Sequence, residues 1–150
     1  MVGKGKVKTR TALRSGIRFE QVMAREAWNK GFFAMRSTGS GSGTSAYPRP
    51  DLLIFRPGGI IDVVQAKTTR KSKIRFGPPT WESEVRVARR LRALGFKTRV
   101  WLALKFVRPG KTREALIRVD GHEQDVLIVS YDYKRNILHY RWEEARSREE

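Results

Sequence analysis

Three polar residues stand near the ends of the largely apolar segment PDLLIFRPGGIIDVVQAK, which spans residues 50–67. Asp51 stands at its beginning, and Gln65 and Lys67 stand near its end. A carboxylate and an amide oxygen are hard ligands suited to Mg²⁺, and a lysine can orient water or stabilise charge on a phosphate. The alternative is a buried polar trio that satisfies itself, but a lysine is a costly member of such a core. We therefore interpret the three residues as a candidate site for phosphodiester hydrolysis.

A β-hairpin would bring these three residues together. Opposed residues of an antiparallel pair have a constant sum of positions, and a turn centred on Gly58 makes that sum 116. Asp51 then faces Gln65, and Lys67 shares their face because side chains alternate with period two. A turn of another length would shift the register by one residue. Asp62 lies on the opposite face of a regular strand, so we exclude this carboxylate from the site.

Hydrophobic periodicity predicts two helices around this hairpin. The first runs over residues 17–30, between a Ser15 cap and a Gly31 stop, with an apolar side formed by Phe19, Val22, Met23 and Trp28. The second runs over residues 80–94, and its apolar face consists of Val85, Ala88, Leu91 and Leu94. These two faces are expected to pack into the core.

Apolar runs predict strands at residues 32–36, 100–107, 116–119, 126–130 and 137–142, besides the hairpin of residues 51–68. The run at 100–107 is nearly continuous, which is typical of a central strand. The order of elements predicts a mixed α/β class with one central mixed β-sheet flanked by helices. Residues 37–50 read as a loop, and its composition is compatible with a substrate-facing segment or a plain linker.

The composition of the chain bounds its organisation. A length of 150 residues with 39% hydrophobic residues favours one folded domain, which we assign to residues 15–142. Residues 1–14 are interpreted as a basic arm and residues 143–150 as a charged tail. The absence of cysteine excludes disulfides and thiolate metal sites. No apolar run is long enough for a bilayer span or a signal peptide, so an intracellular, cytoplasmic protein is the simplest interpretation.

The net charge of +17 calls for a polyanionic partner, and nucleic acid is the expected one. Two basic clusters are expected to contact phosphates: the arm, with Lys4, Lys6, Lys8, Arg10 and Arg14, and the segment after the hairpin, with Arg70, Lys71, Lys73 and Arg75. A solvated tail is the alternative for the arm. His122 and His139 have no partner at metal-ligand spacing, so neither is expected to bind a metal.

Several motifs resemble a known enzyme family. Pro50-Asp51 followed by Gln65-Ala66-Lys67 resembles the PD-(D/E)xK nuclease motif, which is short and of low specificity. The segment GFFAMRSTGS, residues 31–40, resembles archaeal Holliday-junction resolvases, which have Gly-Phe, Arg-Ser and Gly-Ser at this spacing. Gly16 and Glu20 match a glycine and a first-helix glutamate of that family, and VWLALKF, residues 100–106, resembles its late central strand. The resemblance spans about residues 10–120.

This resemblance implies a restriction-endonuclease-like fold with an αβββαβ core and a homodimer that cuts four-way DNA junctions. It implies Mg²⁺ as the cofactor, with Mn²⁺ as a substitute, held by Asp51 and Gln65 with Glu20 as a third acidic group. It makes Lys67 the catalytic lysine, Ser40 a loop serine that contributes to cleavage, and Arg36 a ligand for a phosphate near the cut.

The sequence departs from the family at two positions. Gln65 stands where a glutamate is usual, and Gln21 stands where a basic residue often follows the helix glutamate. Glutamine removes one negative charge from the metal site, so a lower Mg²⁺ affinity is expected. Two alternatives therefore stay open: a related nuclease with another DNA target, and a relative that binds nucleic acid without cutting it.

Overall fold

The computed structural model describes residues 17–37 and 47–144. Within those two stretches the chain forms two α-helices, one 3₁₀ helix and eight strands. The predicted arm, Ser15, Ser40 and residues 145–150 of the predicted tail lie outside the described residues. No helix in the described stretches has the length and apolar character needed to cross a membrane.

The first helix, α1, covers residues 17–29 and ends where Gly31 adopts a φ of 89°. The N–H of Phe32 then donates to the Ala27 carbonyl over 2.9 Å, which closes the last turn as expected for a glycine stop. Phe19 and Ala27 are buried and Met23 is partly buried, so the core row has a spacing of four residues. The predicted core position of Trp28 is wrong: it is 67% exposed, because it lies one residue and about 100° beyond that row.

The second helix, α2 (Glu82–Ala93), follows a 3₁₀ turn at Pro78–Trp81, so the α-helix begins two residues later than predicted. Val85 and Ala88 are buried and Leu91 is partly buried against the core, as expected. Leu94 was expected on the same face, but it is 67% exposed. It follows the last helical residue, so the chain has already turned away from the sheet before Gly95 adopts a φ of 100°.

Eight strands follow the chain in the order β1 (Phe33–Arg36), β2 (Leu52–Arg56), β3 (Ile60–Thr69), β4 (Lys73–Phe76), β5 (Lys97–Arg108), β6 (Lys111–Arg118), β7 (Val126–Asp132) and β8 (Ile137–Glu143). Five of them form the central sheet in the spatial order β1-β2-β3-β5-β6. Only β3 and β5 run parallel; the other neighbours are antiparallel. A mixed central sheet is confirmed, and β5, with Val100, Leu102, Leu104 and Phe106 fully buried, is one of its inner strands.

The β2–β3 hairpin has the predicted register. Leu52 pairs with Val64 and Arg56 with Ile60, so each opposed pair adds to 116. The turn uses Gly58 and Gly59 at φ values of 82° and 73°, a left-handed conformation that residues with a Cβ rarely adopt. Asp51, immediately before β2, therefore stands at the position opposed to Gln65.

The two faces of the central sheet have different covers. On one face, Phe19 of α1 packs with Leu52, Val64, Ala66 and Ala103. The other face presents alternate residues of β3, including Ile61 and Val63, to α2 and to a second sheet. Gln65 and Lys67 follow Ile61 and Val63 at period two, so they belong to the face that α2 covers.

The second sheet has the order β4-β7-β8. The sequence predicted no strand at β4 and placed all strands in one sheet; both expectations are wrong. The basic residues of KIRF at β4 hide the strand pattern, although Phe76 is buried and β4 pairs with β7. Phe106 of the central sheet packs edge-on against Tyr131 of β7 at a centroid distance of 5.6 Å, which joins the sheets in one core.

Candidate active site

Hydrogen bonds to its backbone and to its carboxylate hold Asp51 at the point where β2 begins. Its carbonyl accepts from the N–H of Ser37 over 3.1 Å, and its own N–H donates to Oε2 of Glu84 over 3.2 Å. Its carboxylate oxygen Oδ2 accepts from the N–H of Ala66 over 3.1 Å. Both backbone and carboxylate are thus set before any ligand binds, which is the pre-organisation that a metal ligand or catalytic carboxylate needs.

Gln65 and Lys67 flank Ala66 on β3 and project from the face that is covered by α2. The Gln65 side chain is half-buried, and its Nε2 donates to the Ala66 carbonyl over 3.3 Å. Lys67 is exposed, so its ammonium group can reach a phosphate outside the protein. The structure therefore brings the three residues of the opening motif together around one backbone position.

Glu20 of α1 approaches the same place from the other side of the sheet. Its Oε1 lies 3.4 Å from Nε of Arg36, at the end of β1. Burial and the charge of Asp51 raise the pKa of Glu20 to about 7, and Arg36 offsets part of that rise. Glu20 therefore interacts electrostatically with Asp51, although the two residues belong to different parts of the chain. The ion pair also gives Arg36 a second task beside the expected phosphate contact.

Glu84, in the first turn of α2, is a site residue that the sequence analysis missed. It is 1% exposed, and its Oε2 accepts the hydrogen bond from the Asp51 N–H. Burial first, and then the charge of Asp51, raise the pKa of Glu84 to about 8, against the lowering effect of its hydrogen bonds and of Lys67. A signal was present: Glu84 precedes Ala88 and Leu91 at helical spacing, which predicts a carboxylate on the buried face.

Asp62 is not part of this site, as the period-two alternation predicted. It is buried on the opposite face of β3, where Nε of Arg99 donates to Oδ1 over 2.7 Å and Arg56 pairs with Oδ2. Nε1 of Trp101 donates to Oδ1 over 3.1 Å. Burial alone would raise the pKa of Asp62, but the bonds from Arg99, Arg56 and Trp101 outweigh it and lower the pKa. The contacts are those of a structural carboxylate.

The donors around Asp51 suit a hard divalent cation. They comprise the Asp51 carboxylate, the Gln65 amide oxygen and two buried or half-buried glutamates whose repulsion with Asp51 a cation would relieve. Within residues 17–37 and 47–144, no three His, Cys, Asp or Glu side chains already converge as a metal cluster. The predicted metal ligands include the amide oxygen of Gln65 beside the carboxylates of Asp51 and Glu20, so they are not an all-acidic cluster.

The predicted basic residues are placed only in part. Lys71, Lys73 and Arg75 are exposed on the connection after β3 and on β4, and Arg75 pairs with Glu143 over 3.3 Å. The arm residues Lys4, Lys6, Lys8, Arg10 and Arg14, and the loop residue Ser40, lie outside the described residues. His122 bonds Asp125 over 3.0 Å and stacks on Trp142, contacts that suit the expected structural role.

Comparison with known proteins provides independent information. A family model described as archaeal Holliday junction resolvase (Hjc) matches residues 11–131. Among solved structures, the chain is similar to Archaeoglobus fulgidus Hjc, described as a Holliday junction resolvase from an archaeal hyperthermophile, with a TM-score of 0.52 and 26% sequence identity. That match covers 71% of this chain and 81% of the other. The comparison with curated protein sequences gave no match.

Proposed function

The chain belongs to the archaeal Holliday junction resolvase family, and from this premise we propose which of its residues bind and cut DNA. Family membership makes the protein a junction-resolving nuclease that acts in DNA recombination and repair and depends on a divalent metal. We propose Mg²⁺ as that metal, with Mn²⁺ as a substitute, because every donor in the candidate site is an oxygen. We also propose an intracellular location, because the substrate is DNA.

We propose that Asp51 and Gln65 hold the metal, with Glu20 as a further acidic group. The observation that supports this assignment best is the Asp51 carboxylate, which the Ala66 N–H holds beside Gln65 and Lys67. When bound, the metal supplies Lewis acidity toward the phosphate and toward the attacking water. Lys67 orients that water or donates to the phosphate oxygen on which charge builds in the transition state.

Binding to the junction is proposed to rest on phosphate contacts. Arg36 lies beside Glu20 and would bind a phosphate near the cut, while Lys71, Lys73 and Arg75 extend a positive surface from the end of β3. The arm is assigned to phosphate contact because of its basic charge, and Ser40 is assigned a part in cleavage by the family resemblance. Contacts of this kind position a duplex without reading its sequence, which suits recognition by shape.

We propose that the working enzyme is a homodimer. A four-way junction has two-fold symmetry, and cutting two opposed strands requires two sites related by the same symmetry. The edge strand β1 presents two exposed apolar side chains, Phe33 and Met35. They provide apolar surface that a second copy would bury.

The variant Asp51→Asn tests the site assignment. Removing its charge should lower cleavage of a four-way junction by roughly 10²–10³-fold or more, because the transition state loses a pre-organised charge. Junction binding, measured by gel shift without metal, should stay nearly unchanged, because phosphate contacts supply most of it. Asp132→Asn makes the same charge change at the last residue of β7, in the second sheet, and serves as the control. Equal loss of binding and cleavage in Asp51→Asn would remove Asp51 from the metal site.

A further inference from the structure

Gln65 leaves the proposed metal site short of negative charge. In the ligand set that the family resemblance implies, Asp51 is joined by one other carboxylate, Glu20, which is already paired with Arg36. A cation with two positive charges binds more tightly as the number of carboxylate ligands rises. The question is therefore whether another part of the described chain supplies a second carboxylate on the face that carries Gln65.

Glu84 is placed to do so. The helix α2 covers the sheet face on which Ile61 and Val63 lie, and Gln65 and Lys67 continue that row. Glu84 belongs to the first turn of α2 and points inward, with 1% of its surface exposed. Its Oε2 contacts the backbone of Asp51 over 3.2 Å. Glu84 thus reaches the site from the same side as Gln65, whereas Glu20 comes from the helix on the opposite face.

One oxygen of this carboxylate has no protein partner. The Oε1 atom of Glu84 is buried and accepts no hydrogen bond. A buried acceptor without a partner costs about 1–3 kcal/mol, and more when the group is charged. An alanine or leucine on the Glu84–Ala88–Leu91 row would avoid that cost. A cation beside Asp51 would satisfy the atom.

A purely structural role accounts for only half of these contacts. Holding the Asp51 N–H requires one acceptor oxygen, and a glutamine would supply it equally well. It does not require a second oxygen, and it does not require a group that can ionise when a cation binds. The unpartnered Oε1 and the ability of the carboxyl group to ionise are the features that distinguish a metal ligand from a backbone clamp.

We propose that Glu84 provides the carboxylate that position 65 lacks, so that Asp51, Gln65 and Glu84 together hold the divalent metal. The inference rests on the proposed role of Asp51 and adds a ligand from a different element. Glutamine is then tolerated at position 65 because helix α2, in place of strand β3, supplies the negative charge that the metal needs.

A charge exchange between positions 65 and 84 tests the proposal. Mn²⁺ binding is measured by calorimetry on the protein without DNA for Glu84→Gln, Gln65→Glu and the double variant. Glu84→Gln should weaken Mn²⁺ binding by roughly tenfold or more, because a charged ligand is lost while the hydrogen bond to Asp51 is kept. Adding Gln65→Glu should restore the affinity to within about threefold, because the charge returns from the neighbouring strand. Glu82→Gln, in the same turn but exposed, is the matched control and should bind as the unaltered protein does.

The proposal would be overturned if Glu84→Gln bound Mn²⁺ with an affinity within about twofold of that of the unaltered protein. It would also be overturned if the double variant bound Mn²⁺ no more tightly than Glu84→Gln does. If Glu84→Gln does not fold, the test is made by NMR on the unaltered protein. Substoichiometric Mn²⁺ should then broaden the ¹³C carboxyl resonances of Glu84 and Asp51 together, and a Glu84 signal as sharp as that of Glu82 would overturn the proposal.

These readouts distinguish failure of the Glu84 assignment from failure of the proposed function. If the unaltered protein cuts junctions and Glu84→Gln binds Mn²⁺ normally, the proposed function stands and Glu84 is not a ligand. If the unaltered protein cuts no junction but the variants show the expected changes in Mn²⁺ affinity, the ligand set stands and the proposed substrate is wrong.

Discussion

At the scale of single residues, the candidate site concentrates negative charge around one aspartate. Burial first, and then the charge of Asp51, raises the pKa of Glu20 on one helix and of Glu84 on another, while Lys67 opposes the rise at Glu84. Without a cation, the folded protein therefore holds protons on carboxyl groups that the unfolded chain would release near pH 4.5. Metal binding and proton release are coupled in such a site.

This coupling predicts the pH dependence of stability in the metal-free protein. A folded-state pKa of about 8 for Glu84, against 4.5 in the unfolded chain, means that the unfolded state releases its proton first. The stability is fully present below pH 4.5 and is lost as the pH rises through 8. Glu84→Gln lacks this loss, so its unfolding free energy relative to the unaltered protein should rise by on the order of 3–5 kcal/mol between pH 4.5 and 8.5.

Chemical denaturation at both pH values in EDTA measures that difference. Comparing each protein with itself cancels any effect of the substitution that does not depend on pH. Glu82→Gln again serves as the control, and it should follow the unaltered protein. If the unfolding free energies of Glu84→Gln and of the unaltered protein change equally between the two pH values, Glu84 is already ionised in the folded state.

At the scale of elements, the site is assembled where β2 and β3 meet the covering helices, and the far end of β3 is secured by a different carboxylate. Asp62 ties Arg56 of β2 and Arg99 of β5 to the middle strand, on the face opposite Gln65. The hairpin segment thus has one acidic residue in a structural ion-pair cluster, Asp62, and one in the candidate active site, Asp51. Both residues lie in the same largely apolar segment, residues 50–67.

We predict that Asp62→Asn destabilises the fold without weakening the metal site. Breaking a fully buried ion pair costs roughly 3–5 kcal/mol, and because Arg56 and Arg99 are partly exposed we expect about 2 kcal/mol here. Urea denaturation at pH 7 measures the loss, and Asp132→Asn should change stability by less than about 0.5 kcal/mol. Normal stability combined with lost Mn²⁺ binding would instead place Asp62 among the metal ligands.

The elements also show which parts of the structure were predictable. The register of the hairpin followed from Gly58 and from period-two alternation, because both act between residues that are close in sequence. The second sheet could not be predicted in this way, because β4 pairs with β7 across more than fifty residues and the basic side chains of β4 mask its apolar ones. Glu84 was missed for a related reason: a glutamate in the first turn of a helix usually only complements the helix dipole.

At the scale of the whole molecule, the net charge of +17 dominates the encounter with DNA. Each phosphate contact releases counterions, so binding weakens as salt rises in proportion to the number of contacts. The five basic residues of the arm, Lys4, Lys6, Lys8, Arg10 and Arg14, form a run without acid in the first fourteen residues.

Removing residues 1–14 should therefore weaken junction binding and flatten its salt dependence. Five lost phosphate contacts would reduce the slope of log K against log salt by up to about 4.5. Gel shifts across a salt series measure the slope. Removal of residues 145–150, which carry two arginines and two glutamates, is the control and should leave it unchanged. An unaltered slope after removal of the arm would identify it as a solvated tail.

The most direct measurement is cleavage of an end-labelled four-way junction beside a duplex of the same sequence, with and without Mg²⁺. We predict paired cuts in opposed strands of the junction, only in the presence of metal, and no cuts in the duplex. Tight binding of the junction without cuts in Mg²⁺ or Mn²⁺ would contradict a working metal site with glutamine at position 65. Equal cutting of junction and duplex would contradict selection by junction shape.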